Sequence, residues 1–146
     1  MKTIIYNADI ANEGRLTRGY IVIDDEIIAE VGEGEPAAAV MAECDVRNDV
    51  DGALVMPGVI DDQVHFRDPG LTHKADIATE SAAAVAGGVT SYMDMPNTVP
   101  PTVTIDALEA KNRRAQEVSV ANYGFFIGAT NDNLKTLMEA DYSYTP

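Results

Sequence analysis

The sequence predicts an α/β chain in two parts. Residues 1–55 read as a small β region, and residues 56–146 as the first three or so strand–helix units of a parallel sheet. Three observations lead there. The run before Met56 consists of short β-rich segments separated by turn residues. From Met56 the pattern changes to strand, helix, strand, helix, which argues for parallel strands joined by crossovers. Each such unit takes roughly 30 residues, so about three fit between Met56 and Pro146. An open sheet of three parallel strands leaves edges unpaired and faces uncovered, whereas a closed barrel needs eight units and roughly 250 residues. The chain therefore reads as the beginning of a TIM-type (β/α)8 barrel, preceded by part of a small β-sandwich-like domain.

Ile4-Ile5-Tyr6 and Tyr20-Ile21-Val22-Ile23 are β-rich, and Glu26 to Val31 continues them after an Asp24-Asp25 turn. Gly32, Gly34 and Pro36 then break the pattern, and about five strands are expected in this region. Val59 to Phe66, bounded by Pro57-Gly58 and Pro69-Gly70, is the first strand of the second part. A helix is expected from Asp76 to Ala86, with Ile77, Ser81, Ala84 and Val85 on one face and Gly87-Gly88 as its stop. Val89 to Met95 is the next strand, ended by Pro96. A second helix spans Ile105 to Glu117, with Ile105, Leu108 and Ala115 on one side, and Val120 to Ala129 forms the third strand. Asn131 is a good N-cap for a short third helix carrying Leu134, Leu137 and Met138.

Composition narrows the function classes. The formal charge is −14, with 46% hydrophobic and 23% charged residues. Such acidity disfavours nucleic acid and anionic membranes, both of which need clustered Lys or Arg. No apolar run approaches the roughly 18 residues of a membrane span, and the first residues are too polar for a secretory signal, so a cytoplasmic protein is expected. The single cysteine, Cys44, has no internal partner and reads as a small, partly buried side chain.

Chemistry concentrates in Asp61-Asp62-Gln63-Val64-His65-Phe66-Arg67-Asp68-Pro69-Gly70. In a regular strand Asp61, Gln63, His65 and Arg67 share one face, with Val64 and Phe66 on the other. Polar residues near the C-terminal end of a barrel strand stand where barrel active sites lie.

This run resembles the first metal-binding motif of the dihydroorotase branch of the amidohydrolases. Phe66-Arg67-Asp68-Pro69-Gly70 carries the likeness, followed in order by Lys74, Gly87-Gly88-Val89-Thr90 and Met95-Pro96-Asn97-Thr98. The resemblance extends over essentially the whole chain. It implies that His65 is a metal ligand and that Arg67 and Asn97 bind substrate. A guanidinium suits a carboxylate through paired charge-assisted hydrogen bonds, and an amide offers both donor and acceptor. Arg67 also separates this pattern from the similar allantoinases, which typically carry Asn there. The resemblance implies zinc, one or two ions, and reversible hydrolysis of dihydroorotate to N-carbamoyl-aspartate in pyrimidine biosynthesis.

One departure stands out. Gln63 occupies the position of the motif's first histidine, and a neutral amide oxygen is a poor zinc ligand. Three outcomes stay open: one metal is lost or weakened, Gln63 or Asp61 ligates in place of the histidine, or a single metal suffices. His73 is expected to be structural or at the surface, and Asp94 to be a buried, hydrogen-bonded acid without catalysis. The resemblance places a bridging lysine, further histidines and a catalytic aspartate on later strands, so no catalytic residue is expected within 1–146, which alone should be inactive and bind metal weakly at best. A homo-oligomer is expected. Two alternative readings stand beside the main one: a non-catalytic assembly partner, for example of aspartate transcarbamoylase, and a related cyclic amidase such as an allantoinase or hydantoinase.

Overall fold

The structure is a computed structural model and describes residues 1–140. It comprises two compact units, Met1–Pro57 and Gly58 onward. The first is a five-stranded sheet in which β1 (Lys2–Asn12), β2 (Arg15–Asp24) and β3 (Ile27–Glu33) run antiparallel. A short helix, α1 (Ala38–Glu43), then leads to β4 (Val46–Asp49) and β5 (Leu54–Val55), which both pair parallel to β1. The β1–β2 hairpin turns on Glu13 and Gly14, both at positive φ (49° and 74°), as a two-residue hairpin matched to strand twist requires.

A bulge divides the core of this unit between two faces. The β1–β2 register slips between Ile5 and Ala8, and Asn7 between them has φ 58°. The extra residue reverses the alternation of side chains. Ile4 therefore packs with Tyr20, Val22 and Cys44 on one face, while Ala8 and Ile10 join Ile21 on the other. Helix α1, where the sequence predicts only broken chain, supplies Val40 and Met41 to the Ile4 cluster. Cys44 is buried beneath it, its thiol donating to the Val40 carbonyl.

The second unit is a mixed α/β arrangement of a few strand–helix units. Strands β6 (Val59–Val64), β7 (Val89–Asp94) and β8 (Asn122–Phe125) form a parallel sheet in that order. Helices α2 (Ile77–Ala86) and α3 (Ile105–Val118) make the crossovers, and α4 (Leu134–Glu139) comes after β8. Asp76 caps α2 by accepting from the Thr79 N–H at 2.8 Å, and that bond holds its carboxyl below the ordinary carboxylate range. Thr104 caps α3 in the same way. The core between helices and sheet is Phe66, Ile77, Tyr92, Leu108, Ala115 and Phe125. Val85, expected on the buried face of α2, is exposed, whereas Ile77 and Ser81 are fully buried.

Three elements of this unit differ from the sequence reading by two residues or more. The first strand stops at Val64 and not Phe66, because the Phe66 N–H turns away to a carboxylate. The third strand covers only Asn122–Phe125. Asn133, not Asn131, stands at the start of α4, and its amide bonds backward to Thr130, Val103 and Gly128 without capping the helix.

Tyr92 lies at the centre of this core, 4.5 Å from Phe66 between ring centroids, its hydroxyl bonded to Ser119. Burial pushes its phenol up to about 12, from an ordinary value of 10.0. The folded state thus keeps this proton longer than the unfolded chain, so stability falls as pH rises from about 10 toward 12. Alkaline denaturation series should show this loss, on the order of 2 kcal/mol, and Tyr92→Phe should remove it. Equal alkaline slopes for both proteins would contradict the assignment.

Candidate functional site

The residues singled out from sequence gather where β6 and β7 end. The Met95 N–H bonds the Val64 carbonyl at 3.0 Å, carrying the pairing one step past β7. Beyond Val64 the chain leaves the sheet. The Phe66 N–H donates to Asp94 Oδ1 at 2.9 Å, and the Phe66 ring packs into the core beside Tyr92. Arg67 then adopts a left-handed backbone, φ 67°, which a bulky residue rarely takes without support. Support comes from both sides. The Arg67 carbonyl accepts from the Leu71 N–H at 3.0 Å, and the Pro69 carbonyl accepts from Val99 at 3.1 Å. Gly70 has φ 82° and lies so close to the Val99 carbonyl that no Cβ would fit.

The simple alternation expected for Asp61, Gln63, His65 and Arg67 is therefore corrected. It can apply only as far as Val64, and even within β6 the register with β7 breaks between Asp61 and Val64. His65 and Arg67 are placed by a turn. The structure brings His65 and Asn97 together, with Nδ1 and Oδ1 2.8 Å apart. With the Asn97 oxygen facing the ring, Nδ1 is the donor of this contact and Nε2 is the nitrogen outside it. Arg67 lies on the same turn, half-buried, with no ion-pair partner among the described residues. Gln63 is exposed on β6, its N–H bonded to Asp61 Oδ1 at 3.1 Å, and neither residue has a hydrogen bond to His65. His73 is exposed in the turn before α2.

The described residues do not by themselves compose a metal centre. No group of three or more His, Cys, Asp or Glu among them could hold an ion. One exposed imidazole with a neutral amide nearby in sequence is too small and too weak a donor set for zinc, which takes three or four nitrogen, sulfur or carboxylate ligands. What the described residues offer is an oriented imidazole, an amide and a guanidinium without an ion-pair partner among them.

Beneath them lies a feature the sequence reading only half anticipated. Asp94 is fully buried, as expected, and it is also paired. Its Oδ2 lies 2.6 Å from Lys111 Nζ on α3, and both side chains are essentially inaccessible to solvent. The ammonium also donates to the Met95 carbonyl at 3.1 Å and sits 4.9 Å from the centre of the Phe125 ring. Burial pulls the Lys111 ammonium below its ordinary value, and the Asp94 charge opposes that pull. A second link runs parallel: Asp68, buried, accepts from Arg114 Nε at 3.2 Å, also on α3. Lys111 and Arg114 were missed by the sequence reading, although Lys111 falls on the same helical stripe as Leu108 and Ala115.

Strand–helix units with polar groups collected beyond the C-terminal strand ends, preceded in sequence by a separate β-sheet region, are an arrangement that an amidohydrolase-superfamily domain shares. Comparison with known proteins agrees. The family model described as Dihydro-orotase-like matches residues 52–142, well over half of the chain, and the chain belongs to that family. It is 34% identical over 143 residues to a dihydroorotase of Lactobacillus acidophilus, covering 98% of this chain and 32% of that protein. It is 41% identical over 108 residues to a dihydroorotase of Methanothermobacter thermautotrophicus, covering 74% of this chain and 24% of that protein. Among solved structures, the L-hydantoinase (dihydropyrimidinase) of Arthrobacter aurescens superposes with a TM-score of 0.80 at 29% identity, over 92% of this chain and 29% of that one. The chain thus spans about a third or less of the length of these relatives.

The buried pair yields a direct expectation. Lys111→Met leaves the Asp94 charge uncompensated in the core and should cost about 3–5 kcal/mol in urea denaturation. Asp94→Asn added to Lys111→Met keeps the acceptor for Phe66 while removing the stranded charge, and should recover most of that loss. Equal stability of single and double variants would show that the pair carries no charge.

Proposed function

We propose that this chain supplies the substrate-anchoring end of a cyclic-amide hydrolase, and that the ring it accepts in the complete protein is dihydroorotate, interconverted with N-carbamoyl-aspartate. The observation that carries this reading is the Arg67 guanidinium, held in a left-handed turn without an ion-pair partner among the described residues. Dihydroorotate bears a carboxylate, and a fixed guanidinium recognises it through two parallel charge-assisted bonds. Asn97, one residue past Pro96, keeps its amide nitrogen for the ring or the same anion while its oxygen orients His65. The match to dihydroorotases over nearly the whole chain supports the same assignment.

His65, with Nε2 left free, would be this chain's contribution to a zinc site whose other ligands come from elsewhere in the complete protein. Zinc would supply the activated water and polarise the ring carbonyl. His65, Arg67 and Asn97 bind and orient, and residues 1–146 alone should show no turnover.

Two further readings have their own support. Likeness in fold to hydantoinases supports a related cyclic amidase, acting on rings without the carboxylate. Gln63, standing where the family motif has histidine, supports a non-catalytic partner of another enzyme such as aspartate transcarbamoylase. Assay of the complete protein with zinc separates all three. We expect turnover of dihydroorotate in preference to hydantoin or dihydrouracil, with Arg67→Ala raising KM for dihydroorotate about 10- to 100-fold. Preference for the neutral rings would favour the hydantoinase reading, and no turnover of any ring by folded, zinc-loaded protein would favour the partner.

A further inference from the structure

Arg67 is flanked by two residues that are each tied to α3. On one side, the Phe66 N–H is held at 2.9 Å by Asp94, whose other oxygen is paired with Lys111 at 2.6 Å. On the other, the Asp68 carboxylate is held at 3.2 Å by Arg114. Lys111 and Arg114 are three positions apart on one helix and so lie on neighbouring parts of its surface. Each link also neutralises an acid. Asp68 and Asp94 are the two buried carboxylates of this unit among the described residues, and both are occupied by α3. The guanidinium between them has no ion-pair partner among the described residues, on a backbone whose left-handed conformation persists only where its surroundings over-determine it.

We propose that α3 is the positioning element for Arg67. Lys111 and Arg114, acting through Asp94 and Asp68, lock the turn that presents the guanidinium and keep both acids from competing for it. Helix α3 thereby sets how well the site takes a carboxylate-bearing ring, although neither cation touches the ligand. This rests on the reading of Arg67 as the anion clamp. Arg114 is a positioning residue, and it is the accessible arm of the device: its side chain is 44% exposed, so its replacement removes less buried contact than that of Lys111.

The test is a double-mutant cycle on the complete protein, read as the dissociation constant for dihydroorotate by titration calorimetry. Arg114→Gln should weaken binding on the order of tenfold, and Arg114→Lys, which keeps a cation near Asp68, should recover most of it. If Arg114 acts through Arg67, then Arg114→Gln adds nothing in an Arg67→Ala background. Wild-type affinity for Arg114→Gln alongside weakened binding by Arg67→Ala would overturn the proposal and leave the clamp reading standing. Full additivity of the two substitutions would also overturn it, by giving Arg114 an effect independent of Arg67. Unchanged affinity for Arg67→Ala would instead remove the clamp itself, and the proposal with it.

Discussion

One carboxylate and one ammonium, sealed together where two strands and a helix converge, organise the second unit of this chain. Asp94 ends β7, Lys111 projects from the middle of α3, and neither side chain reaches solvent. Isolating either charge in the interior would cost several kcal/mol, so the pair survives only because each partner has further bonds. Asp94 accepts from Phe66, Lys111 donates to Met95, and the ammonium lies over Phe125 on β8. The backbone carbonyl of Asp94 meanwhile accepts from Phe126. A single buried pair thus ties together the C-terminal ends of all three parallel strands and the helix that covers them.

The consequence for function is geometric. Once Phe66 has turned its N–H to Asp94 and its ring to Tyr92, the chain on either side must leave the sheet. His65 is delivered to Asn97, and Arg67 is forced into its left-handed backbone. A regular strand would have carried these side chains along one face at a spacing set by the pleat. The turn instead sets them by hydrogen bonds to elements distant in sequence. The positions of these side chains are thereby tied by hydrogen bonds to the core beneath them.

Much of this was legible in the sequence, and the limits have physical causes. Helices α2 and α3 are legible to within a residue because their signals are local: Asp76 and Gly87-Gly88 for one, the stripe of Ile105, Leu108 and Ala115 for the other. The end of β6 was misplaced by two residues because what ends it, the Asp94 carboxylate, lies 28 positions away from Phe66. The bulge at Asn7 and helix α1 were missed for similar reasons, one being a register slip and the other a six-residue helix that gains its stability from packing. His65, Arg67 and Asn97 stand out in the sequence because their motifs are short and contiguous. Lys111 was passed over because a lysine on a helix usually faces water, although its place between Leu108 and Ala115 on the apolar stripe marked it as the partner Asp94 needed.

As proposed, Arg67 is held ready for an external carboxylate on a turn that α3 secures. A crystal structure of the complete protein with bound dihydroorotate tests this most directly. Both guanidinium arms of Arg67 should lie within hydrogen-bond distance of the ligand carboxylate, with Asp68 still on Arg114 and Phe66 still on Asp94. A ligand carboxylate bound elsewhere, or Arg67 paired with Asp68 in its presence, would contradict it.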